Sequence, residues 1–285
     1  LPKSIHTSES KSHMVITEPT KHLDDKLKQC STQKSKLLIR YDKMIGKGSF
    51  SEVYLGQYKG NDVAIKTIST DCLDNKITKQ LQRELQVIRV LYANPHQNIV
   101  TYHKTMNTGS RIIIVMEMCS GGELSKYIKN RTKFNITDIQ SFFSQIISGY
   151  KHLLKHNIVH RDIKSANILL SADQKTIKFI DFGLSKILSS DLNQTICGSP
   201  LYMAPELLNH QKYDSKSDIW SIGVLLYEMI YGVTPFHHCK AILTLRQTIQ
   251  ENSIKCPDVL SDGSVVPGYL ITLIHRLLDP DPVRR

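Results

Sequence analysis

The chain has 285 residues, with 37 Lys and Arg against 26 Asp and Glu, a formal charge of +11 and a hydrophobic fraction of 40%. That composition excludes a disordered polyelectrolyte and leaves room for one large domain or two smaller ones with a sizeable core. Six cysteines (Cys30, Cys72, Cys119, Cys197, Cys239 and Cys256) show no C-x-x-C spacing. A small disulfide scaffold is excluded, a zinc site is disfavoured, and free thiols in a reducing compartment are expected, the cytoplasm first and the nucleus second. The longest apolar region, Ile219 to Val233, is too short to span a bilayer and carries Glu228, so no membrane span is expected. The first 35 residues lack the apolar centre of a secretory signal.

Residues 1 to 36 are rich in Ser, Thr, Lys and His without an apolar period, and read as a flexible polar tail. Order is expected from Leu37, and Tyr41 to Lys66 reads as an antiparallel meander broken by Gly46, Gly48 and a turn at Lys59 to Asp62. From Lys76 to Tyr92, the residues Ile77, Leu81, Leu85, Ile88 and Leu91 recur at helical spacing. At about 100° per residue and with Ile77 at zero, this stripe runs from about −40° to about 80°, and Glu84 falls inside it at about −20°. Glu84 therefore either keeps its head in solvent at the edge of the face or needs a buried partner. Arg111 to Met116 is a β-branched strand. A long helix follows, with a T-x-x-Q box at Thr137 to Gln140 and an apolar face of Ile139, Phe142, Phe143, Ile146, Ile147, Tyr150 and Leu154. From Asp214 to Leu278 the pattern is mostly helical, with breaks at Pro235 and between Pro257 and Pro267. The chain is thus β-rich first and α-rich afterwards, an α+β arrangement that turns over near Met118.

Several motifs carry chemistry. Gly46-Lys47-Gly48-Ser49-Phe50-Ser51-Glu52-Val53 lies between two strand-like runs, where glycines let backbone N–H groups approach a phosphate, although a bare G-x-G is also a common hairpin turn. Thirteen residues beyond Val53, Val63-Ala64-Ile65-Lys66 puts a lysine on an apolar strand, a natural partner for Glu84. After the long helix come His160-Arg161-Asp162-Ile163-Lys164-Ser165-Ala166-Asn167 and then Asp181-Phe182-Gly183, just past a short strand at Ile177 to Ile180. Either Asp162 as a turn cap or Asn167 as a loop hydrogen-bonder would be ordinary alone. Three polar groups, Asp162, Asn167 and Asp181, set together between apolar segments point to a site, and carboxylates in such a position commonly hold cations.

These motifs, together with Ala204-Pro205-Glu206, Asp218-Ile219-Trp220-Ser221-Ile222-Gly223 and a closing Arg285, resemble a eukaryotic-type serine/threonine protein kinase domain over roughly Tyr41 to Arg285. The resemblance implies a bilobal α+β fold in residues 37 to 285, with an N-lobe of about 37 to 117, one key helix within it, and a mainly helical C-lobe of about 118 to 285 around one ATP cleft. The last helix pattern is incomplete at Arg285, so the C-terminus is expected to be trimmed. Thr195-Ile196-Cys197-Gly198-Ser199-Pro200 and the Tyr213 to Asp218 stretch look most like the autophagy-initiating kinases, with parts shared by polo-like and calcium/calmodulin-type kinases.

What the resemblance implies for the residues can be stated one by one. Gly46, Lys47, Gly48 and the backbone of Ser49 to Ser51 would cover the ATP phosphates, with Ser51 in place of the family's third glycine. Lys66, oriented by Glu84, would hold the α- and β-phosphates. Asn167 and Asp181 would bind Mg²⁺, Asp162 would be the catalytic base, and Lys164 would steady the γ-phosphate. Met116 would be the gatekeeper, and the backbone of Glu117 and Cys119 would bond adenine. Val53, Ala64 and Leu169 would sandwich its ring, with Glu123 at the ribose, though these residues also suit core packing. Arg285 would pair with Glu206. Thr195 sits where related kinases are phosphorylated, by an upstream kinase or by the protein itself, with Arg161 and Lys186 as partners for the added charge. Ala166 replaces the Glu found there in basophilic kinases, and Leu184 goes with preference for Ser over Thr. The implied partners are proteins bearing Ser or Thr. A pseudokinase scaffold is the alternative within the fold, but every charged residue needed for chemistry is present. A basic nucleic-acid binder lacks its parts, since there is one Trp and no basic run interleaved with aromatics.

Overall fold

The computed structural model describes residues 13–16, 37–48, 51–70, 73–130, 135–182, 199–209, 214–251, 254–260 and 262–285. The chain divides into two compact units, one of Leu1–Asp74 and Thr101–Met118, the other of Asn75–Val100 and Cys119–Arg285. One break in this division falls after Met118. The helix before it groups with the second unit and makes the division discontinuous along the chain.

The first unit is an antiparallel sheet of β1 (His13–Ile16), β2 (Leu37–Lys47), β3 (Ser51–Tyr58), β4 (Asn61–Ser69), β5 (Tyr102–Asn107) and β6 (Arg111–Glu117), in the order β1-β2-β3-β4-β6-β5. Val63 to Ile68 are buried without interruption, as a strand covered on both faces must be, and this is why V-A-I-K reads as a continuous apolar run with a lysine in it. Because alternate residues share a face, Ile39, Tyr54, Val63, Ile65, Ile113 and Val115 form one core cluster, while the residues between them line the other face. Two features of this sheet differ from the sequence reading. The strand β5 carries Lys104 and Asn107, and its polar composition hid it. Four residues of the expected tail, His13–Ile16, form β1, paired with Leu37–Arg40. The rest of residues 1 to 36 lies outside the described residues.

In the second unit α1 (Asn75–Ala93) buries Leu81, Glu84, Ile88 and Leu91, and leaves Ile77 and Leu85 half-exposed. The buried stripe is therefore rotated toward Glu84, and the solvated alternative for that carboxylate does not hold. The long helix α3 (Ile136–Lys155) buries Ile139, Phe142, Ile146, Gly149, Tyr150 and Leu153. Leu154, expected on that face, lies on its exposed edge, because Leu153 continues the i, i+4, i+7 row of Ile146 and Tyr150. The expected T-x-x-Q box is also displaced. Asn135 is the N-cap, its side chain accepting from the Asp138 N–H at 2.9 Å while Asp138 accepts from the Asn135 N–H at 3.3 Å. An Asn–Asp pair satisfies the same orphan N–H groups as the Ser/Thr–Glu/Gln box, one turn edge earlier.

Between α3 and the next long helix lie the short strands β7 (Ile168–Leu170) and β8 (Ile177–Phe179), paired to each other, preceded by α2 (Leu124–Lys129) ahead of α3 and followed by α4 (Pro205–Leu208). Then comes α5 (Ser215–Tyr231), with α6 (Ile242–Gln250) and α7 (Gly268–Leu277) after it. Twelve of the 17 residues of α5 are buried, the polar Ser217, Asp218 and Ser221 among them, so most of its circumference is covered. Its Gly223 marks the closest approach to α7. A Cβ there would lie 2.7 Å from Leu277 Cβ and 2.9 Å from Leu278 Cδ2.

This contact yields a prediction with competing terms. Alanine favours a helix over glycine by about 1 kcal/mol, but overpacking a filled core costs about 1–3 kcal/mol. Gly223→Ala should therefore lower the denaturation midpoint, and a raised midpoint would show that α5 and α7 have room to separate.

Candidate active site

The predicted site residues fall in both units, and each set is internally ordered. In the first unit the ladder register sets Gly46 opposite Val53 and Val53 opposite Lys66, while Leu55, Ala64 and Met116 make the next row on the same face. Sequence reasoning named Gly46, Val53, Ala64, Lys66 and Met116 separately, and pairing brings them onto one face. Lys66 is 6% exposed. Lys47 lies within 3.9 Å of Glu52 as an exposed pair. Gly48 donates its N–H to the Ser51 carbonyl at 2.7 Å, and neither Gly46 nor Gly48 has a positive φ. Ser49 and Phe50 lie outside the described residues. Glu117 exchanges bonds with Thr101, its N–H donating to the Thr101 carbonyl at 2.8 Å and its carboxylate accepting from the Thr101 N–H at 3.0 Å.

In the second unit, Glu84 is buried on α1 at 4% exposure, and Cys119 is buried and in no disulfide. Glu123 and Leu169 are brought together by a backbone bridge. The Glu123 carboxylate accepts from Ser125 Oγ and Lys126 Nζ, both at 2.9 Å, and the Lys126 bond holds its carboxyl below the usual range despite partial burial.

The polar centre of this unit is Asp162, 7% exposed. Its Oδ2 accepts from Lys164 Nζ at 2.9 Å and from Asn167 Nδ2 at 2.7 Å, and Asn167 Nδ2 also reaches the Asp162 carbonyl at 2.9 Å. A turn over Ser165–Asn167 makes this possible by curling Asn167 back, its N–H donating to the Lys164 carbonyl at 3.0 Å. Ile180 then donates to the Asn167 carbonyl at 3.1 Å, which sets Asp181 one residue from that anchor, exposed and in a left-handed conformation at φ 56°. Hydrogen bonds thus join Asp162 to Asn167, and Asp181 follows directly on the residue bonded to Asn167.

That loop is held from behind. The Asp218 carboxylate accepts from the His160 N–H at 2.8 Å and the Arg161 N–H at 3.0 Å, and Arg161 itself is left-handed at φ 69°. Sequence reasoning noted Asp218 only as part of a motif. Its signal, a carboxylate inside an otherwise apolar helix, was available. Arg285 and Glu206, expected to pair, do so at 2.6 Å with both side chains buried, and Ser217 Oγ donates to the other Glu206 oxygen at 2.7 Å.

A family model described as "Protein kinase domain" matches residues 39–285. The chain belongs to the protein kinase family. It is 34% identical over 246 residues to the serine/threonine-protein kinase ATG1a of Arabidopsis thaliana, covering 85% of this chain and 38% of that protein. Serine/threonine-protein kinase ATG1 of Colletotrichum lindemuthianum is 35% identical over 293 residues, covering 85% of this chain and 42% of that protein. Serine/threonine-protein kinase atg1 of Dictyostelium discoideum is 37% identical over 252 residues, with coverages of 86% and 37%. These names agree with the resemblance to autophagy-initiating kinases read from the motifs, and the chain spans only about two fifths of the length of such relatives. Thr195, Leu184 and Lys186 of this kinase domain lie outside the described residues.

His160 of the kinase domain supplies a pH dependence. Its Nε2 faces the Ile180 carbonyl at 3.2 Å and its Nδ1 accepts from the Asp162 N–H at 3.3 Å, so the neutral Nε2–H tautomer satisfies both. Phe179 and Phe182 flank the ring at 5.6 and 5.0 Å. Burial lowers its pKa, and a second proton would have to point at an N–H. Below the unfolded value of about 6.5 the unfolded chain binds a proton that the folded chain refuses. Stability is therefore lost as pH falls from there toward the folded value, by up to about 1.4 kcal/mol per pH unit. Denaturant titrations at pH 7.5, 6.5 and 5.5 should give a steeper acid loss for wild type than for His160→Asn, by up to one proton in slope, and equal slopes would contradict this.

Proposed function

We propose that this chain is the catalytic domain of a serine/threonine protein kinase that transfers the γ-phosphoryl group of ATP to protein hydroxyls in the cytoplasm. The observation that carries the reading is the convergence of Lys164 Nζ and Asn167 Nδ2 on one oxygen of the buried Asp162 carboxylate. A pseudokinase scaffold would have no need to keep a base, a cation and an amide in that relation. Asp162 takes the proton of the attacking hydroxyl, and Lys164 balances charge on the oxygens being transferred. Lys66 holds the α- and β-phosphates, and Gly46, Lys47 and Gly48 cover them. Val53, Ala64, Met116 and Leu169 surround the adenine, which bonds to the backbone of Glu117 and Cys119, and Glu123 serves the ribose.

A divalent cation suits the oxygen donors present. Asn167 spends its amide nitrogen on Asp162, which turns Oδ1 to the role of ligand, and Asp181 adds a carboxylate one residue past the Asn167–Ile180 bond. Among the described residues no cluster of three or more His, Cys, Asp or Glu could hold a metal unaided. Mg²⁺ commonly takes one or two protein ligands and completes its shell with water and substrate phosphates. It would neutralise phosphate charge, while this chain's residues position the hydroxyl and the base.

Phosphorylation of Thr195, by an upstream kinase or by the protein itself, is proposed to raise activity by ordering its segment, with Arg161 and Lys186 as basic residues that would meet the added charge. Cys119, Cys239 and Cys256, none of them in a disulfide, support a reducing compartment. Ala166 supports neutral or acidic targets over those with an upstream Arg.

Removing a general base lowers turnover by about 10²–10⁴-fold, so Asp162→Asn should reduce phosphate transfer to a Ser-containing protein by that factor while nucleotide binding persists. Asp181→Asn should instead abolish the Mg²⁺ dependence of nucleotide affinity measured by titration calorimetry. Equal turnover in wild type and Asp162→Asn would refute the enzyme reading. Thr195→Ala should fail to gain activity after incubation with ATP, read against phosphate incorporation by intact mass, and unchanged turnover would remove Thr195 as the activating site.

A further inference from the structure

The residue between Lys164 and Ala166 has a part in none of the roles above, yet Ser165 is among the most enclosed polar residues of the loop at 2% exposure. Its Oγ donates to Glu228 Oε1 at 3.0 Å and lies 3.1 Å from the Tyr202 hydroxyl. Tyr202 in turn donates to Glu228 Oε2. Each carboxylate oxygen thus receives one hydroxyl, and two hydroxyl protons are the number an ionised carboxylate in this triangle can use.

The three residues come from three elements that the chemistry needs in register. Ser165 opens the turn Ser165–Asn167 that carries Asn167 onto Asp162. Tyr202 ends the turn Ser199–Tyr202, which follows the segment containing Thr195. Glu228 belongs to α5. Seven residues earlier on the same face of α5, Ser221 Oγ donates to the Tyr202 carbonyl at 2.9 Å, so α5 grips Tyr202 at both its backbone and its hydroxyl. Burial raises the carboxyl of Glu228 and, together with the Glu228 charge, the Tyr202 hydroxyl. Such a carboxylate depends on its donors, because a buried acceptor without them bears its full desolvation penalty.

We propose that Ser165 is a positioning residue for phosphoryl transfer, which through the shared Glu228 carboxylate locks the Asn167 turn to α5 and to Tyr202 and so holds Asn167 and Asp162 in their catalytic relation. This rests on the kinase reading above. Ser165 touches neither nucleotide nor substrate in this role, and its effect is confined to the turnover step. A displacement of about 1 Å at reacting groups can cost 10²-fold in rate, and loss of one of several anchors should cost less.

The test is steady-state kinetics on the whole chain with Thr195 phosphorylated to equal extent, comparing wild type, Ser165→Ala, Ser165→Thr, Tyr202→Phe and the double variant Ser165→Ala/Tyr202→Phe. Ser165→Ala should lower kcat by about tenfold with KM for ATP within about twofold, the pattern of an interaction that matters in the transition state. Ser165→Thr, which keeps the hydroxyl, should recover most of that loss. Since both hydroxyls act through one carboxylate, the double variant should fall by about the tenfold of a single variant rather than a hundredfold. Wild-type kcat in Ser165→Ala, or equal defects in Ser165→Ala and Ser165→Thr, would overturn the proposal alone. Absence of transfer by the phosphorylated wild type would overturn the kinase reading with it. If Ser165→Ala does not fold, Tyr202→Phe at wild-type kcat is the refuting result and a tenfold loss is the supporting one.

Discussion

Two hydrogen bonds from backbone N–H groups to the Asp218 carboxylate govern the geometry of the second unit. The groups belong to His160 and Arg161, and Arg161 sits in a left-handed conformation that an arginine adopts only when its surroundings enforce it. The carboxylate comes from the helix Ser215–Tyr231 and is fully buried, so it has strong reason to be paired. In return the loop receives a fixed bend. From that bend the chain delivers Asp162 to Lys164 and Asn167, and His160 to its place between Phe179 and Phe182.

The same helix repeats this arrangement along its length. Ser217 binds Glu206, which is paired with Arg285, and Ser221 and Glu228 hold Tyr202. Trp220 lies under the Arg285 guanidinium at 5.4 Å and stacks on Phe236 at 6.0 Å. A buried ion pair gains little net stability over apolar packing, and breaking it from one side is expensive. Its value here is geometric, because Glu206 and Tyr202 flank the segment that precedes the Pro205–Leu208 helix, and both are tied to one rigid element. In the first unit the same task falls to strand register, which aligns Val53 with Lys66 and Ala64 with Met116.

Much of this was legible in the amino-acid sequence because it is written in local patterns. The apolar period around Glu84, the β-branched run ending at Met116 and the spacing of Asp162, Asn167 and Asp181 each depend on neighbours a few residues away. The cap of the long helix was misread because Asn135 and Asp138 do the work that Thr137 and Gln140 could have done, and local pattern alone does not separate two adjacent boxes. His13–Ile16 was missed because pairing with Leu37–Arg40 depends on residues more than twenty positions away. Glu228 was seen only as a charge that interrupts an apolar stretch. Its partners Ser165 and Tyr202 are 63 and 26 residues distant, and no periodicity connects them.

That difference has a physical root. Residues that touch a ligand must present a particular functional group at a particular point, so their identity and spacing stay visible along the chain. Residues that hold those groups in place need only satisfy one another in a dry interior, where any donor can complete any acceptor if the fold brings them together. Ser165 illustrates the consequence: its hydroxyl is unremarkable in sequence, and it acquires meaning only when Glu228 and Tyr202 close around it. In this domain the chemistry is spelled out by the loop, and the precision of that loop is set by polar groups on one buried helix.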